Sequence, residues 1–219
     1  VKYEDCPTSK YFPGKQLTSE YREGPFIGYR YYDTAGVEVC FPFGFGLSYT
    51  KFGYENIVVD EKGVTFDIVN VGDVDGAEIA QLYVGKKESK IIRPEKELKG
   101  FKKVFVKAGE RVSVNIPFDD KTFRYYNVAT NGWEVEGGEY EIMIGASSVD
   151  IRLTATVEQA ATTDVLPYDI EKLPAYKTCN VKDVPDEQFK ALLGHEIPQS
   201  GYNFYKKNRM VIDEKIGRA

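Results

Sequence analysis

The sequence predicts a mainly β protein built around a β-sandwich, and three observations predict it. Aromatic residues are abundant, with 16 Tyr, 13 Phe and 1 Trp among 219 residues, and Tyr and Phe favour strands. Turn-forming residues are frequent as well, with 20 Gly and 10 Pro. Apolar and polar side chains alternate along residues 111–116 and 151–157, which is the period of a sheet with one face on a core and the other in water.

Eight strand-like segments recur between turn signals, at residues 55–59, 64–69, 78–84, 102–106, 111–118, 123–127, 140–145 and 151–157. Short strands at this spacing predict an immunoglobulin-like or fibronectin type III-like sandwich over residues 51–158. Trp133 lies between a turn and strand-forming residues. Because a buried aromatic contributes heavily to a core, we expect Trp133 to be buried in the sandwich.

Residues 1–50 form an irregular, aromatic-rich N-terminal segment. Residues 26–33 have bulky side chains on both faces of a strand-like run, and such a strand needs cover on both faces. Residues 41–47 are apolar but interrupted by Gly and Pro, which predicts an ordered loop. We therefore expect this segment to dock on protein that the chain does not contain, through Tyr29, Tyr31, Phe41, Phe43 and Phe45.

Residues 159–219 form an extended C-terminal tail punctuated by Pro. One short helix is predicted near residues 185–193, with Pro185 at its start and Gly194 after its end. Phe189, Leu192 and Leu193 share one face of that helix. We expect the tail to wrap onto another surface.

Composition limits the classes of partner and the compartment. The net charge of −5 argues against a nucleic-acid partner. The sequence contains no run of 18 apolar residues, so we predict no membrane-spanning helix. The three cysteines are widely spaced and the chain has no Asn-x-Ser/Thr sequon, so we expect a reducing, cytoplasmic compartment. The first residue is Val1, which suggests a chain cut from a longer one.

Acidic and histidine residues could supply chemistry, yet each has a simpler structural interpretation. His195 is the only histidine, and it follows the Gly that ends the predicted helix, where a histidine suits the C-terminal end. Glu134 and Glu136, like Glu139 and Glu141, alternate on strands with spacing near that of a glycosidase pair. Alternating Glu is also how a solvated strand face looks, and we favour that interpretation.

Three further motifs fall short of their functional patterns. Residues 73–76 (Asp-Val-Asp-Gly) lack the later ligands of a calcium loop and predict a turn. Residues 86–103 carry eight basic and three acidic side chains, which favours a solvated inter-strand loop over a polyanion site. Gly44 and Gly46 lack the third Gly of a dinucleotide fingerprint. From the residues alone we predict no catalytic, cofactor-binding or metal-ligating residue, and a binding or scaffold module.

Several motifs in fixed order, covering about residues 3–157, resemble the C-terminal part of glycoside hydrolase family 3, the bacterial β-glucosidase type. These motifs are residues 21–33, 41–50, 76–84, 93–101, Trp133 and 138–142. Residues 189–194 and 197–198 are similar, less closely, to an extension found in some members.

The resemblance implies a catalytic barrel, an α/β sandwich and then a fibronectin type III-like domain. In such enzymes the nucleophile Asp and the acid/base Glu precede the matched region, so no catalytic residue maps onto this chain. It implies that residues 1–50 end the α/β sandwich, that 51–158 are the fibronectin-like domain and that 159–219 are a C-terminal extension.

The implied function is a non-catalytic brace for a retaining exo-glycosidase that cleaves terminal non-reducing β-linked sugars. Its partners would be the barrel and the α/β sandwich of the same enzyme. The alternative is a free-standing carbohydrate- or protein-binding module, which would need two or three coplanar exposed rings.

Overall fold

The computed structural model describes residues 2–14 and 19–198, so Val1, residues 15–18 and the last part of the predicted tail, 199–219, lie outside the described residues. The chain divides into two compact units. One unit is residues 25–170, and the other joins residues 1–24 with residues 171–219. Within the described residues, no helix is long and apolar enough to cross a membrane.

The unit of residues 25–170 begins with one short helix, α1 (Tyr29–Thr34), and continues with nine strands. The strands are β1 (Phe52–Asp60), β2 (Gly63–Asn70), β3 (Gly76–Gly85), β4 (Glu97–Val106), β5 (Arg111–Pro117), β6 (Arg124–Asn127), β7 (Gly132–Val135), β8 (Gly138–Gly145) and β9 (Ile151–Gln159).

The strands form two main antiparallel sheets and a hairpin. One sheet has the order β1-β2-β5, the other β4-β3-β8-β9, and β6 pairs with β7. Side chains from both sheets form one core that includes Phe66, Leu82, Val114, Tyr140 and Ile144. The predicted mainly β, fibronectin type III-like sandwich is confirmed.

All eight predicted strands are present, and one further strand, β7, was not predicted. The strands were predictable because apolar and polar residues alternate, and in β2 and β5 burial alternates along the strand in the same way. Phe66 and Val114, for example, are directly paired in register and almost fully buried. The four residues of β7 are too few to show a period.

Residues 26–33 are a correction, because the predicted strand is absent and residues 29–34 form helix α1. Gly28 precedes the helix with φ +56°, a backbone conformation that favours glycine. The amides of Tyr31 and Tyr32 both donate to the Gly28 carbonyl, at 3.0 and 3.1 Å. A run of bulky residues on every side fits a covered helix as well as a strand, and the glycine at its start decides for the helix.

In the unit of residues 1–24 and 171–219, the described residues form short helical segments and no strand. They are the 3-10 helices Tyr3–Asp5, Ile170–Lys172 (which starts one residue before the unit) and Val181–Asp183, together with α2 (Pro174–Lys177) and α3 (Asp186–Leu193). Pro185 precedes α3, Gly194 follows it with φ +75°, and Phe189 is buried. The predicted helix near residues 185–193 is therefore confirmed.

Arg22 organises this unit. Its guanidinium donates to the Val184 carbonyl at 2.8 Å and pairs with Asp186 at 2.6 Å. The same group lies 4.8 Å from the ring centres of Tyr11 and Phe189, a cation–π geometry. The tail residues around α3 thus pack against the first residues of the chain.

Candidate docking surface

The most unusual surface feature of the residue 25–170 unit is an apolar loop, residues 41–49, which we call the aromatic loop. Phe41 is 72% exposed, Leu47 88% and Tyr49 100%, and Phe43 and Phe45 are about half exposed. Such a run of large exposed apolar side chains marks an interaction site more often than a free surface.

The aromatic loop is held in one conformation by bonds to the sandwich. The Phe43 carbonyl accepts the Ser148 amide at 2.9 Å, and the Gly44 carbonyl accepts the Gln81 side-chain amide at 3.2 Å. Gly44 has φ +80°, and a Cβ there would lie 2.1 Å from the Gln81 amide oxygen. The loop is therefore presented by a fixed backbone.

Tyr29 and Tyr31 belong to the sandwich unit and not to its uncovered surface. The Tyr29 hydroxyl accepts the Leu98 amide at 2.7 Å, and the Tyr29 ring stacks on Phe43 at 4.5 Å. Burial raises the pKa of Tyr29. Tyr31 is buried. The prediction that these two rings lack cover is wrong, because helix α1 turns them towards protein, whereas Phe41 and Phe45 remain exposed.

The outer face of the sheet at β3 and β4 also carries large exposed apolar side chains, like the aromatic loop. Ile79, Phe101 and Phe105 are exposed there. In register, Phe101 lies opposite Gln81, and Gln81 is the residue that holds Gly44. This outer sheet face, defined as Ile79, Phe101 and Phe105, therefore lies on the side of the sheet that carries the aromatic loop.

The candidate catalytic groups do not form a constellation. His195 is exposed, and its Nδ1 lies 2.7 Å from the carbonyl oxygen of the neighbouring residue. No group of three or more His, Cys, Asp or Glu side chains suited to a metal ion occurs among residues 2–14 and 19–198. The chain bends at residues 72–74, where a turn was predicted, and β3 begins at Gly76; Asp75 accepts the Ala108 amide at 2.8 Å.

The glutamates predicted to be solvated behave differently from one another. Glu139 is exposed and Glu141 pairs with Lys87 at 2.7 Å. Glu136, by contrast, is largely buried, accepts the Ser89 hydroxyl at 2.7 Å and pairs with Arg93 at 3.3 Å. The solvated interpretation is wrong for Glu136, because the residue 86–96 loop folds over it.

The basic segment of residues 86–103 is also less solvated than predicted. Lys96 is 6% exposed and lies 3.5 Å from Asp33 of helix α1. Arg93 is largely buried between Glu136 and the ring of Tyr140. Lys96 and Arg93 therefore form buried ion pairs within the fold. Lys102 and Lys103 on β4 are exposed, as expected.

The carboxyl group of Glu78 has a raised pKa and forms a hydrogen bond with Tyr54. Burial raises the pKa of Glu78, which accepts the Tyr54 hydroxyl at 2.8 Å. Tyr54 in turn stacks on the core ring of Phe66 at 6.2 Å. The pair connects β1 with β3 beside the core, and we assign it a structural role.

Comparison with known proteins identifies the context of the sandwich. Residues 78–148 match the model of the fibronectin type III-like domain. Thermostable β-glucosidase B of Acetivibrio thermocellus is 48% identical over 173 residues, which are 75% of this chain and 23% of that protein. An exo-α-(1→6)-L-arabinopyranosidase of Bifidobacterium breve is 45% identical over 158 residues, or 70% of this chain and 21% of that protein.

Solved structures agree. The crystal structure of the Bifidobacterium adolescentis GH3 β-glucosidase superposes with a TM-score of 0.70 at 41% identity, covering 75% of this chain and 25% of that one. The chain is homologous to one portion of the glycoside hydrolase family 3 enzymes. It spans about a quarter of the length of the relatives that it matches. The resemblance found in the motifs is confirmed.

Trp133, in the family 3 fibronectin-like domain of this chain, is not a core residue. It is 58% exposed on β7 and contacts Tyr126 of β6 edge to face at 5.4 Å. The guanidinium of Arg124 lies 4.2 Å from the centre of the Trp133 ring. The prediction of a buried Trp is wrong, because the β6–β7 hairpin turns this ring outwards.

Exposed Trp133 helps to line a cleft that sequence reasoning missed. Its lining is Pro25, Ile91, Ile92, Arg93, Pro94, Glu97, Lys99, Lys121, Arg124, Tyr125, Tyr126, Trp133 and Tyr168. These residues come from five separate stretches of the family 3 chain, so no local motif reveals them. The only sequence signal is the pair of tyrosines that precedes the single Trp.

Proposed function

We propose that this chain is a non-catalytic brace within a retaining family 3 exo-glycosidase that hydrolyses terminal non-reducing β-linked sugars. Two of the relatives are named as a β-glucosidase and an exo-arabinopyranosidase, which supports an exo-acting glycosidase. We also propose the domain division at residues 50 and 158, with residues 1–50 as the end of an α/β sandwich. The partners are then that sandwich and the catalytic barrel of the same enzyme.

The observation that carries the brace proposal is the aromatic loop. Its backbone is fixed by Ser148 and Gln81, yet Phe41, Leu47 and Tyr49 face outwards with most of their surface exposed. Burying apolar area stabilises by about 25 cal/mol per Å², so a rigid, exposed apolar loop is suited to a permanent partner. Since the chain spans about a quarter of its relatives, we take that partner to be the rest of the same polypeptide.

Ring orientation argues against the alternative of a free-standing sugar-binding module with a flat platform. The planes of Tyr126 and Trp133 cross at 77°, and those of Phe41 and Phe45 at 43°. A flat platform would require coplanar rings, and neither pair is coplanar. The exposed rings therefore do not form the flat platform that this alternative needs.

The decisive experiment puts the same two substitutions into two contexts. Phe41→Ser with Phe45→Ser should change the unfolding free energy of the isolated chain by less than about 0.5 kcal/mol, because surface substitutions have small effects. In the complete enzyme the same pair should lower stability by about 2 kcal/mol or more, since each ring would leave a buried site. Unfolding in urea, followed by circular dichroism, gives both numbers.

A matched control is Val128→Ser with Val149→Ser, two exposed apolar residues outside the aromatic loop. This pair should have small effects in both contexts. Equal, small effects of the loop substitutions in both contexts would refute the brace while leaving the sandwich fold intact.

We further propose a cytoplasmic location and no direct membrane or nucleic-acid partner. Cys6, Cys40 and Cys179 are free thiols, which suits a reducing compartment. Cys40 should escape a membrane-impermeant thiol reagent in intact cells and react after lysis in denaturant, which also exposes any thiol that a partner covers. Labelling in intact cells would contradict this location.

A further inference from the structure

The cleft beside Trp133 has the size and lining of a ligand site. Its volume is about 470 Å³, within the range of about 300–1,000 Å³ usual for small-molecule sites. Four aromatic side chains and four cationic side chains line it, against a single acidic one, Glu97. Such a lining is unusual in a chain whose net charge is −5.

The aromatic wall of the cleft is built on paired strands. Tyr126 and Trp133 face each other across the β6–β7 register, and they are 46% and 58% exposed. Tyr168 is fixed by its hydroxyl, which accepts the Ile92 amide at 2.8 Å. The negative face of an aromatic ring attracts the slightly positive C–H face of a sugar ring, so an L-shaped pair of rings can hold a pyranose at a corner.

In the cationic wall three side chains form ion pairs and the fourth, that of Lys121, forms none with the described residues, although Asp119 lies beside it and accepts its backbone amide at 2.9 Å. Arg93 pairs with Glu136, Lys99 with Glu97, and Arg124 with Asp120. The ammonium of Lys121 forms no ion pair with any described residue, and its side chain is exposed in the turn before β6. Arg124 lies over Trp133, so a cation stands directly beside the exposed aromatic ring.

We propose that this cleft binds an acidic saccharide, a pyranose chain carrying carboxylates, with its ring face against Tyr126 and Trp133. A carboxylate of the saccharide would accept hydrogen bonds from Lys121 and from Arg124. Charge-assisted hydrogen bonds of this kind are the strong ones, and the ammonium of Lys121, which has no ion pair within the described part of the chain, favours a carboxylated sugar over a neutral one. The site lies wholly in the residue 25–170 unit and does not depend on the brace proposal.

The sole Trp of the chain reports on this cleft directly. The full 219-residue chain is titrated with trigalacturonate, and Trp133 fluorescence is followed. The expected result is a saturable change that weakens as salt is added. Lys121→Met should weaken binding about tenfold, because it removes one charge-assisted hydrogen bond.

Two controls make the test specific. Lys107→Met removes an exposed lysine outside the cleft and should leave the affinity unchanged. Cellotriose, a neutral trisaccharide of the same length, should bind at least about tenfold more weakly than trigalacturonate. Equal affinity for the two saccharides, or equal effects of the Lys107 and Lys121 variants, would overturn the proposal. So would the absence of any response, which would instead assign the cleft to protein contacts.

Discussion

The core of the sandwich and the aromatic loop use the same kinds of side chain with opposite results. Phe66, Phe123 and Tyr140 are buried between the two main sheets, where Phe123 and Tyr140 meet edge to face at 5.1 Å. Phe41 and Phe45 also touch, at 5.4 Å, but both remain exposed. The difference shows that the sandwich completes its own core from this chain, whereas the aromatic loop completes nothing by itself.

Backbone chemistry explains the contrast. The core strands alternate apolar and polar residues, so pairing them buries one face of each sheet. The aromatic loop contains Pro42, Gly44 and Gly46, which prevent a regular ladder, and it is held by single bonds to Gln81 and Ser148. The loop has a defined shape without a buried face, as expected of a surface made for a partner.

The largest difference in unfolding free energy should appear when one ring of the core and one ring of the aromatic loop are each replaced by Ala in the isolated chain. Phe66→Ala removes a fully buried ring and should lower the free energy of unfolding by about 3–5 kcal/mol. Phe41→Ala removes a ring that is 72% exposed and should change it by less than about 0.5 kcal/mol. Urea unfolding of both variants measures the two changes. Similar losses for the two would show that the loop is already part of a closed core.

Glycine substitutions test whether the aromatic loop is held in a fixed shape. Gly44→Ala places a side chain at φ +80° and against the Gln81 amide, and the left-handed strain alone costs about 1–2 kcal/mol. We expect faster hydrogen exchange at the Ser148 amide, which donates to Phe43. Gly46→Ala is the matched control, since no atom lies within 4 Å of its added Cβ. Unchanged exchange in the Gly44 variant would mean that the loop backbone is not fixed.

The smallest effect is expected at Trp133, which resembles the loop in exposure although it belongs to the sandwich. Trp133→Ala removes the edge contact with Tyr126 and the cation–π contact with Arg124. The unfolding free energy should fall by about 1 kcal/mol. In the unsubstituted chain, the fluorescence of exposed Trp133 should be red-shifted and readily quenched. A loss of unfolding free energy above about 3 kcal/mol would contradict this account, because a loss of that size indicates a buried ring.

Local pattern predicted the sandwich because burial there follows a period of two. Residues 111–116 and 151–157 show that period in the sequence itself, and both became strands, β5 and β9. The helix near residues 185–193 was equally visible, because Pro185 and Gly194 mark its two ends. In each case the residues that decide the structure are neighbours in sequence.

The errors occurred where a period of two does not decide the structure. Residues 26–33 carry bulky side chains on both faces of a strand-like run, a pattern that a covered helix fits equally well, and Gly28 with its positive φ precedes α1. Trp133 is exposed because the β6–β7 hairpin turns its ring outwards, and it contacts Arg124, nine positions earlier, rather than the core. The cleft beside it combines residues from Pro25 to Tyr168, a convergence that only the fold reveals.

Hydrogen exchange of residues 41–49, measured in the isolated chain and in the complete enzyme, tests the central claim most directly. Most of these amides have no backbone partner among residues 2–14 and 19–198; that of Phe45 donates to the Pro42 carbonyl at 3.1 Å. The brace account predicts fast exchange in the isolated chain and strong protection in the complete enzyme, with the thiol of exposed Cys40 protected in parallel. Equal exchange and equal thiol reactivity in both forms would contradict the account, because the aromatic loop would then have no partner.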